Sequence, residues 1–179
     1  MKFKVKDIGE HGVDVDLAIT PAFLAQECAD LELRPDGEGK PLEFHGRIEP
    51  TGDDYLLRGK LTGALLMPCA RCLEPARLVL DEDISVVYVE HEGAVEEESE
   101  AEAALGAPDV LTYEDGTIDL SHELRDELML AVPVSLLCRE GCVGLCPVCG
   151  GDRNTTPCDC TEQQRQSQSK FAVLAKLKS

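Results

Sequence analysis

Apolar and polar residues alternate along much of the N-terminal half of the chain. This pattern predicts β-strands with one buried face and one solvent-exposed face. Residues 2–8 and 13–19 both alternate, and we expect them to pair as a hairpin through the turn at 9–12. A second group of strands is separated by turn-forming residues. This group predicts an antiparallel meander over residues 42–48, 55–66 and 76–89.

Helical spacing of apolar residues occurs at two further places. Thr20 can cap a short helix that has Pro21 at its first position, where the missing proline N–H is not needed. Residues 117–132 are expected to be structured and to include a longer helix, in which Leu120, Leu124 and Leu128 recur every four positions. Either Asp119 or Ser121 can cap this second helix.

Together these elements predict an α+β fold, with an antiparallel β meander or partly closed barrel, few helices, a small cysteine-rich zinc-binding module and a C-terminal helix. We expect the core domain to cover residues 1–135, with an acidic, flexible loop at about 91–108. The zinc-binding module is expected over 136–161 and the C-terminal helix over 162–179.

The chain has a formal net charge of -18, and most of this charge lies in one region. The segment from Asp81 to Glu127 holds 17 acidic residues and one basic residue, Arg125. A polyanion such as RNA could therefore bind only to a basic surface that is kept apart from this region.

The N-terminus lacks the apolar stretch of a signal peptide, and no segment approaches the roughly 18 apolar residues of a membrane span. We therefore expect a cytoplasmic protein without a membrane partner. Because the cytoplasm keeps thiols reduced, the nine cysteines indicate metal binding rather than disulfides.

Eight of the cysteines are clustered at the two- or three-residue spacing that lets neighbouring thiolates reach one ion, and two closed zinc sites need eight thiolates. We expect two structural Zn²⁺ ions. The favoured partition gives Cys69, Cys72, Cys138 and Cys142 to the first site and Cys146, Cys149, Cys158 and Cys160 to the second.

An alternative partition stays open: Cys138 and Cys142 could join the other C-terminal cysteines in a two-metal cluster and leave Cys69 and Cys72 without an ion. The ninth cysteine, Cys28, lies on the apolar face of the short helix and is expected to be a small core residue.

No catalytic residues are predicted, and we expect neither an enzyme nor a small-molecule substrate. Cys69 and Cys72 resemble half of a zinc deaminase motif, but no histidine has the glutamate two positions later that this chemistry requires. A redox dithiol is a weaker alternative, because the strand and helix of a thioredoxin setting are missing around this pair.

Four groups of motifs occur in order along the chain: CARCLEP at 69–75, IDL at 118–120 with ELMLAVP at 127–133, CVGLCPVCG at 142–150, and KFAVLAKL at 170–177. These motifs resemble those of the YceD-like family, which is linked to the accumulation of large-subunit ribosomal RNA. The resemblance implies a non-enzymatic factor in large-subunit (23S) ribosome biogenesis.

The expected partner is large-subunit ribosomal RNA or a ribosomal protein. An RNA surface would use basic residues near the hairpin and in the zinc module, namely Arg58, Lys60, Arg71, Arg77, Arg139, Arg153 and Arg165. The alternative is a docking adaptor whose acidic loop captures a basic ribosomal protein. A redox or zinc enzyme is a third, weaker hypothesis.

Overall fold

The structure is a computed structural model that describes residues 1–90 and 109–160. The chain divides into two compact units. The first unit comprises Met1–Met67 and Arg77–Pro133, and the second comprises Pro68–Ala76 and the chain from Val134 onward. The predicted acidic loop at 91–108 and the predicted C-terminal helix lie outside the described residues.

The described part contains mostly β-sheet and two α-helices. The strands are β1 (Lys2–Lys4), β2 (Val13–Ala18), β3 (Arg34–Pro35), β4 (Glu43–Thr51), β5 (Asp54–Pro68), β6 (Pro75–Glu90), β7 (Asp109–Tyr113) and β8 (Thr117–Asp119). The helices are α1 (Pro21–Glu27) and α2 (Leu120–Ala131).

The first unit is built on a six-stranded sheet in the order β2-β4-β5-β6-β7, with the short β3 also paired to β5. The predicted meander is present as β4, β5 and β6. A connection as short as that between β5 and β6 allows only antiparallel pairing, because a parallel neighbour needs a crossover of about a dozen residues. The β4–β5 pairing is likewise antiparallel.

The predicted closure of the sheet was wrong, and one strand outside the predicted meander joins it. Strands β2 and β7 lie at opposite ends of the strand order, so the sheet is open among the described residues rather than a partly closed barrel. Strand β7 also pairs with β6 in parallel, which makes the sheet mixed. The periodicity of a strand marks its buried face but carries no information on its neighbour's direction.

The predicted opening hairpin was also wrong. Residues 5–7 form a 3-10 turn, so that β1 is only three residues long. Strand β1 pairs antiparallel with β8, with Phe3 opposite Ile118, whereas β2 pairs antiparallel with β4. Ile118 is fully buried, and long-range burial of this kind decided the pairing rather than the nearby turn.

Both helices of the first unit begin as predicted. The Thr20 side chain accepts a hydrogen bond from the Phe23 N–H at the start of α1. Asp119 caps α2 by accepting from the Ser121 N–H. Leucines at every fourth position of α2 are buried, and within the described chain no helix is long and apolar enough to cross a membrane.

In the second unit, the buried residues are mainly cysteines. Cys69, Cys72 and Cys142 are buried together with Ala76, and three partly buried leucines pack against them, namely Leu136, Leu137 and Leu145. Few apolar side chains are therefore buried in this unit, and its core consists mainly of cysteine side chains.

Candidate metal centres

The first cluster is formed by the turn between β5 and β6 and by the segment after α2. Its four sulfur atoms, from Cys69, Cys72, Cys138 and Cys142, all lie within 4.8 Å of one another. The Cys69 and Cys142 Sγ atoms are 3.8 Å apart, and those of Cys72 and Cys138 are 3.6 Å apart. Residues distant in sequence thus present four ligand atoms to one point.

Backbone hydrogen bonds hold these two segments of the second unit together. The Ala70 N–H donates to the Leu136 carbonyl at 2.9 Å, and the Leu145 N–H donates to the Arg71 carbonyl at 2.9 Å. The Arg71 side chain adds a bond from Nη1 to the Cys142 carbonyl at 2.8 Å. The two residues between Cys69 and Cys72 are thereby bonded to the segment after α2.

The second cluster is formed within residues 146–160. The sulfur atoms of Cys146, Cys149, Cys158 and Cys160 also lie within 4.8 Å of one another, with Cys149 and Cys158 separated by 3.8 Å. The Gly150 N–H donates to the Cys146 carbonyl at 2.9 Å and closes the turn that carries the first pair.

The geometry of both clusters fits a tetrahedral thiolate site. Four sulfurs at about 2.3 Å from one ion would be separated from each other by about 3.8 Å. Three of the sulfur–sulfur separations, at 3.6 and 3.8 Å, match this edge length, and the remaining pairs lie within 4.8 Å. Each candidate group in the described residues consists of four cysteines, which is a full set of ligands for a closed zinc site.

Backbone N–H groups stabilise the thiolate form of one cysteine in each cluster. The Arg71 N–H approaches Cys69 Sγ at 3.5 Å, and the Val148 N–H approaches Cys146 Sγ at 3.4 Å. Burial raises the pKa of Cys69, but the N–H donors outweigh burial and bring this pKa to about 6. Hydrogen bonds from the Cys149 and Val148 N–H groups lower the pKa of Cys146 to about 6.

Other thiols in the clusters resist ionisation. Burial raises the pKa of Cys72 to about 12, and the hydrogen bond shared with Cys146 raises the pKa of Cys158 to about 12. Several negative sulfurs cannot lie this close together without a compensating positive charge. A divalent cation supplies that charge, so the clusters suit metal better than they suit free thiols.

The structure groups the eight cysteines in the two sets that their spacing favours. Cys138 and Cys142 lie with Cys69 and Cys72, so the alternative two-metal cluster in the C-terminal segment is not the observed arrangement. Cys28 belongs to neither group and is buried in the first unit. Burial raises the pKa of the Cys28 thiol, in keeping with a core residue.

The basic residues predicted to bind RNA occupy different environments. Within the first unit, the Lys60 ammonium lies 3.0 Å from Asp81, and Arg77 donates to Asp36 at 2.6 Å. Arg58 in the same unit is exposed.

The predicted RNA contacts in the second unit are Arg71, Arg139 and Arg153, and all three are exposed. Arg139 and Arg153 form no ion pair within the described part of the chain. Arg165 lies outside the described residues.

Sequence reasoning missed Asn154, whose side-chain Nδ2 lies 3.5 Å from Cys142 Sγ. Asp152 and Asn154 form a polar turn between the cysteine pairs of the second cluster, a composition typical of a loop. Nothing in that composition indicates a contact with a cysteine twelve positions earlier.

The fold and these clusters define a class of protein in which a mixed open sheet accompanies two four-cysteine groups suited to metal ions. The chain belongs to the YceD family, described as large ribosomal RNA subunit accumulation protein YceD, whose model matches residues 57–178. This family resemblance was predicted from the motifs and is confirmed.

Among similar proteins, an uncharacterized protein of Mycobacterium tuberculosis is 32% identical over 120 residues, which are 67% of this chain and 55% of that protein. An uncharacterized protein of Mycobacterium leprae is 29% identical over 149 residues, covering 83% of this chain and 65% of that protein. The chain thus matches 55–65% of the length of these mycobacterial relatives.

A plant relative carries a descriptive name. The Zea mays chloroplastic large ribosomal RNA subunit accumulation protein YCED homolog 1 is 29% identical over 137 residues, covering 63% of this chain and 46% of that protein. No solved structure matches the chain significantly.

Proposed function

We propose that this protein is a non-enzymatic factor that promotes the accumulation of large-subunit ribosomal RNA and that two structural zinc ions stabilise it. Membership of the YceD family supports the role in ribosomal RNA accumulation. The observation that carries the structural part of the proposal is the pair of four-sulfur clusters, in each of which the sulfur atoms all lie within 4.8 Å of one another.

A structural rather than a catalytic role for the metal follows from the ligands. A catalytic zinc ion keeps one coordination position for water or substrate, whereas four thiolates fill the tetrahedral shell. When bound, zinc supplies a cross-link between segments and the positive charge that thiolates need. The cysteine sulfurs hold the ion and exclude further ligands, and the backbone N–H groups around them donate to the sulfurs and stabilise the thiolate charge.

The expected contribution of the metal is large compared with the other interactions in this unit. Thiolate zinc sites contribute an apparent ~10–16 kcal/mol, while a whole domain has a stability of only ~5–15 kcal/mol. The sizeable aliphatic residues between the first and last cysteines of the C-terminal segment are Val143, Leu145 and Val148. Val143 and Val148 are exposed, so metal binding is the main source of order in this segment.

Bound zinc also changes the charge of the second unit. Its side chains include seven basic and five acidic residues, a formal charge of +2. A site with four thiolates and one Zn²⁺ carries a charge of 2−, so two such sites bring the formal charge to −2. The mildly basic module counted from sequence is then mildly acidic, which weakens its attraction for phosphate groups.

A second candidate function is capture of a basic ribosomal protein. The charge of the zinc-loaded unit and the ion pairs that occupy Lys60 and Arg77 favour a protein partner over direct RNA contact. In this version, ribosomal RNA accumulates because one of its early-binding proteins is delivered.

Depletion of the protein in its native cell should lower large-subunit ribosomal RNA relative to small-subunit ribosomal RNA, as measured by electrophoresis of total RNA. Re-expression of the wild-type chain should restore the ratio, and the Cys69→Ser, Cys72→Ser double variant should not, because it loses one zinc ion. Cys28→Ala is the matched control and should retain two ions by native mass spectrometry. An unchanged RNA ratio on depletion would refute the proposed role.

Variants that change the charge of the protein can distinguish a ribosomal-protein partner from an RNA partner. Deletion of residues 92–106 removes most of the glutamates that follow β6 and should abolish capture of a basic ribosomal protein. The double variant Arg139→Glu, Arg153→Glu should leave that capture intact and should reduce binding to large-subunit RNA if RNA is the direct partner. Binding measurements at several salt concentrations decide between them, since phosphate contacts give a steep salt dependence.

A further inference from the structure

The two cysteine clusters share one short segment of backbone. Cys142 belongs to the first cluster and Cys146 to the second, with three residues between them. This segment is bonded on both sides, because Leu145 N–H donates to the Arg71 carbonyl at 2.9 Å and the Gly144 carbonyl accepts from Arg153 N–H at 3.1 Å. A conformational change in the loop of the second cluster can therefore alter the position of the ligands in the first cluster.

Asn154 makes the most direct connection. It lies on the loop that joins the two cysteine pairs of the second cluster, yet its Nδ2 donates to Cys142 Sγ in the first cluster at 3.5 Å. The same Nδ2 donates to Asp152 Oδ1 at 2.7 Å, and Asn154 Oδ1 accepts from the Val143 N–H at 2.9 Å. Both amide hydrogens and the amide oxygen are thus in use.

The chemistry of the partners fixes the orientation of this amide. The Val143 N–H can only donate, so it must face the amide oxygen. The Asp152 carboxylate can only accept, and a thiolate at Cys142 also accepts, so both must face the amide nitrogen. A hydrogen bond to a metal-bound sulfur is the kind of outer contact that holds a ligand in place and stabilises its charge.

The position of Asn154 depends on the second cluster. Residues 150–157, between Cys149 and Cys158, contain no large apolar side chain, so packing cannot hold this loop. Its order comes from the turn at Asp152, whose carbonyl accepts from the Thr156 N–H at 2.9 Å, and from two backbone bonds to the segment at 144–146. In these bonds the Arg153 N–H donates to the Gly144 carbonyl at 3.1 Å, and the Cys146 N–H donates to the Gly151 carbonyl at 2.8 Å. An ion bound by all four cysteines of the second cluster would in addition tie the two ends of the loop together.

We propose that Asn154 couples the two metal centres, so that an ion in the second cluster strengthens the binding of an ion by the first; this rests on the metal sites proposed above. With the second cluster empty, the loop loses its fixed ends, and Cys142 loses the N–H donor that Asn154 provides. Because coupling between binding sites is reciprocal, an ion in the first cluster also strengthens binding by the second.

The test measures zinc affinity in the full chain by competition with a chromophoric chelator. Removal of the second cluster by Cys158→Ser with Cys160→Ser should weaken zinc binding by the first cluster about tenfold, a usual effect of losing an outer-shell partner. Asn154→Ala in the intact chain should weaken the first site by a similar factor. The control is Thr156→Ala, an exposed change on the same turn, which should have no effect.

The combined variant distinguishes coupling from general damage. In a chain that already lacks the second cluster, Asn154→Ala should cause no further loss, since Asn154 is no longer held against Cys142. Asn154→Asp retains the oxygen that accepts from Val143 but brings a negative charge to the thiolate, and it should bind zinc no better than Asn154→Ala.

Native mass spectrometry during partial zinc loading gives an independent measurement. Coupling lowers the fraction of singly loaded molecules at the midpoint of loading, so Asn154→Ala should raise this fraction above that of the wild type. Two ions bound independently in the wild type would overturn the coupling and leave the metal sites standing. A wild-type chain that binds no zinc would overturn both proposals.

Discussion

Gly144 shows at the scale of one residue how the second unit constrains its backbone. Its φ of +73° lies in the left-handed region, and a Cβ atom there would lie 2.7 Å from the Arg71 carbonyl oxygen. That oxygen is the acceptor for the Leu145 N–H. A side chain at this position would therefore displace the hydrogen bond that connects the two segments of the first cluster.

We expect Gly144→Ala to lower the unfolding midpoint of the zinc-loaded protein and to accelerate zinc release. The left-handed backbone alone costs an alanine about 1–2 kcal/mol, and the steric clash adds to this cost. Gly150→Ala is a matched control, because Gly150 has a φ of +71° but a Cβ atom there would meet no other atom within 4 Å. Equal stability of the two variants would contradict the role assigned to Gly144.

At the scale of an element, α2 carries one charged residue on its buried face. Glu123 is only 6% exposed, although it belongs to a helix that also bears Asp126 and Glu127. Burial is the main cause that raises its pKa from 4.5 to about 7, and the charges of Glu127, Asp109 and Asp126 raise this pKa further. The folded state therefore favours the protonated carboxyl group.

The contribution of Glu123 to stability should decrease as pH rises. The stabilisation by Glu123 is fully present below pH 4.5, where the carboxyl group of the unfolded chain is also protonated. This stabilisation is lost as the pH rises through the folded-state pKa of about 7. Glu123→Gln should raise the free energy of unfolding at pH 8 by about 1–3 kcal/mol and change it little at pH 5. Both pH values are compared in denaturant titrations, with Glu10→Gln as the control because Glu10 is exposed.

At the scale of the whole molecule, the two units obtain their stability from different sources. The first unit buries large aliphatic and aromatic side chains along β4, β5 and α2, among them Phe44, Leu57 and Leu124. In the described part of the second unit, cysteines take the place of such a core. Removal of metal should therefore affect the units unequally.

Chelation of zinc should unfold the second unit and leave the first folded. Hydrogen exchange measured by mass spectrometry should then show lost protection at residues 69–75 and 136–160, while 43–66 and 120–131 keep theirs. Return of zinc should restore protection, because the site and the fold form together. Unchanged exchange at 136–160 after complete zinc removal would show that metal is not what orders this segment.

Local sequence determined the elements and the chemical type of the site. The strands of the meander, the capped starts of α1 and α2 and the burial of Cys28 all follow from periodicity or capping within a few residues. Cysteine spacing likewise indicated four-ligand groups, because paired thiols in tight turns can reach a common ion. These features depend on neighbours along the chain, so they can be read from it.

Only the tertiary structure decided which distant segments meet. Strand β1 pairs with β8, and β7 joins the sheet in parallel, since burial across the whole unit selects among strands of equal periodicity. The ion pair of Lys60 with Asp81 and the contact of Asn154 with Cys142 have the same origin. Residue spacing indicates which side chains can bind a metal or a partner. Their neighbours in the folded structure determine which of these side chains remain free to do so.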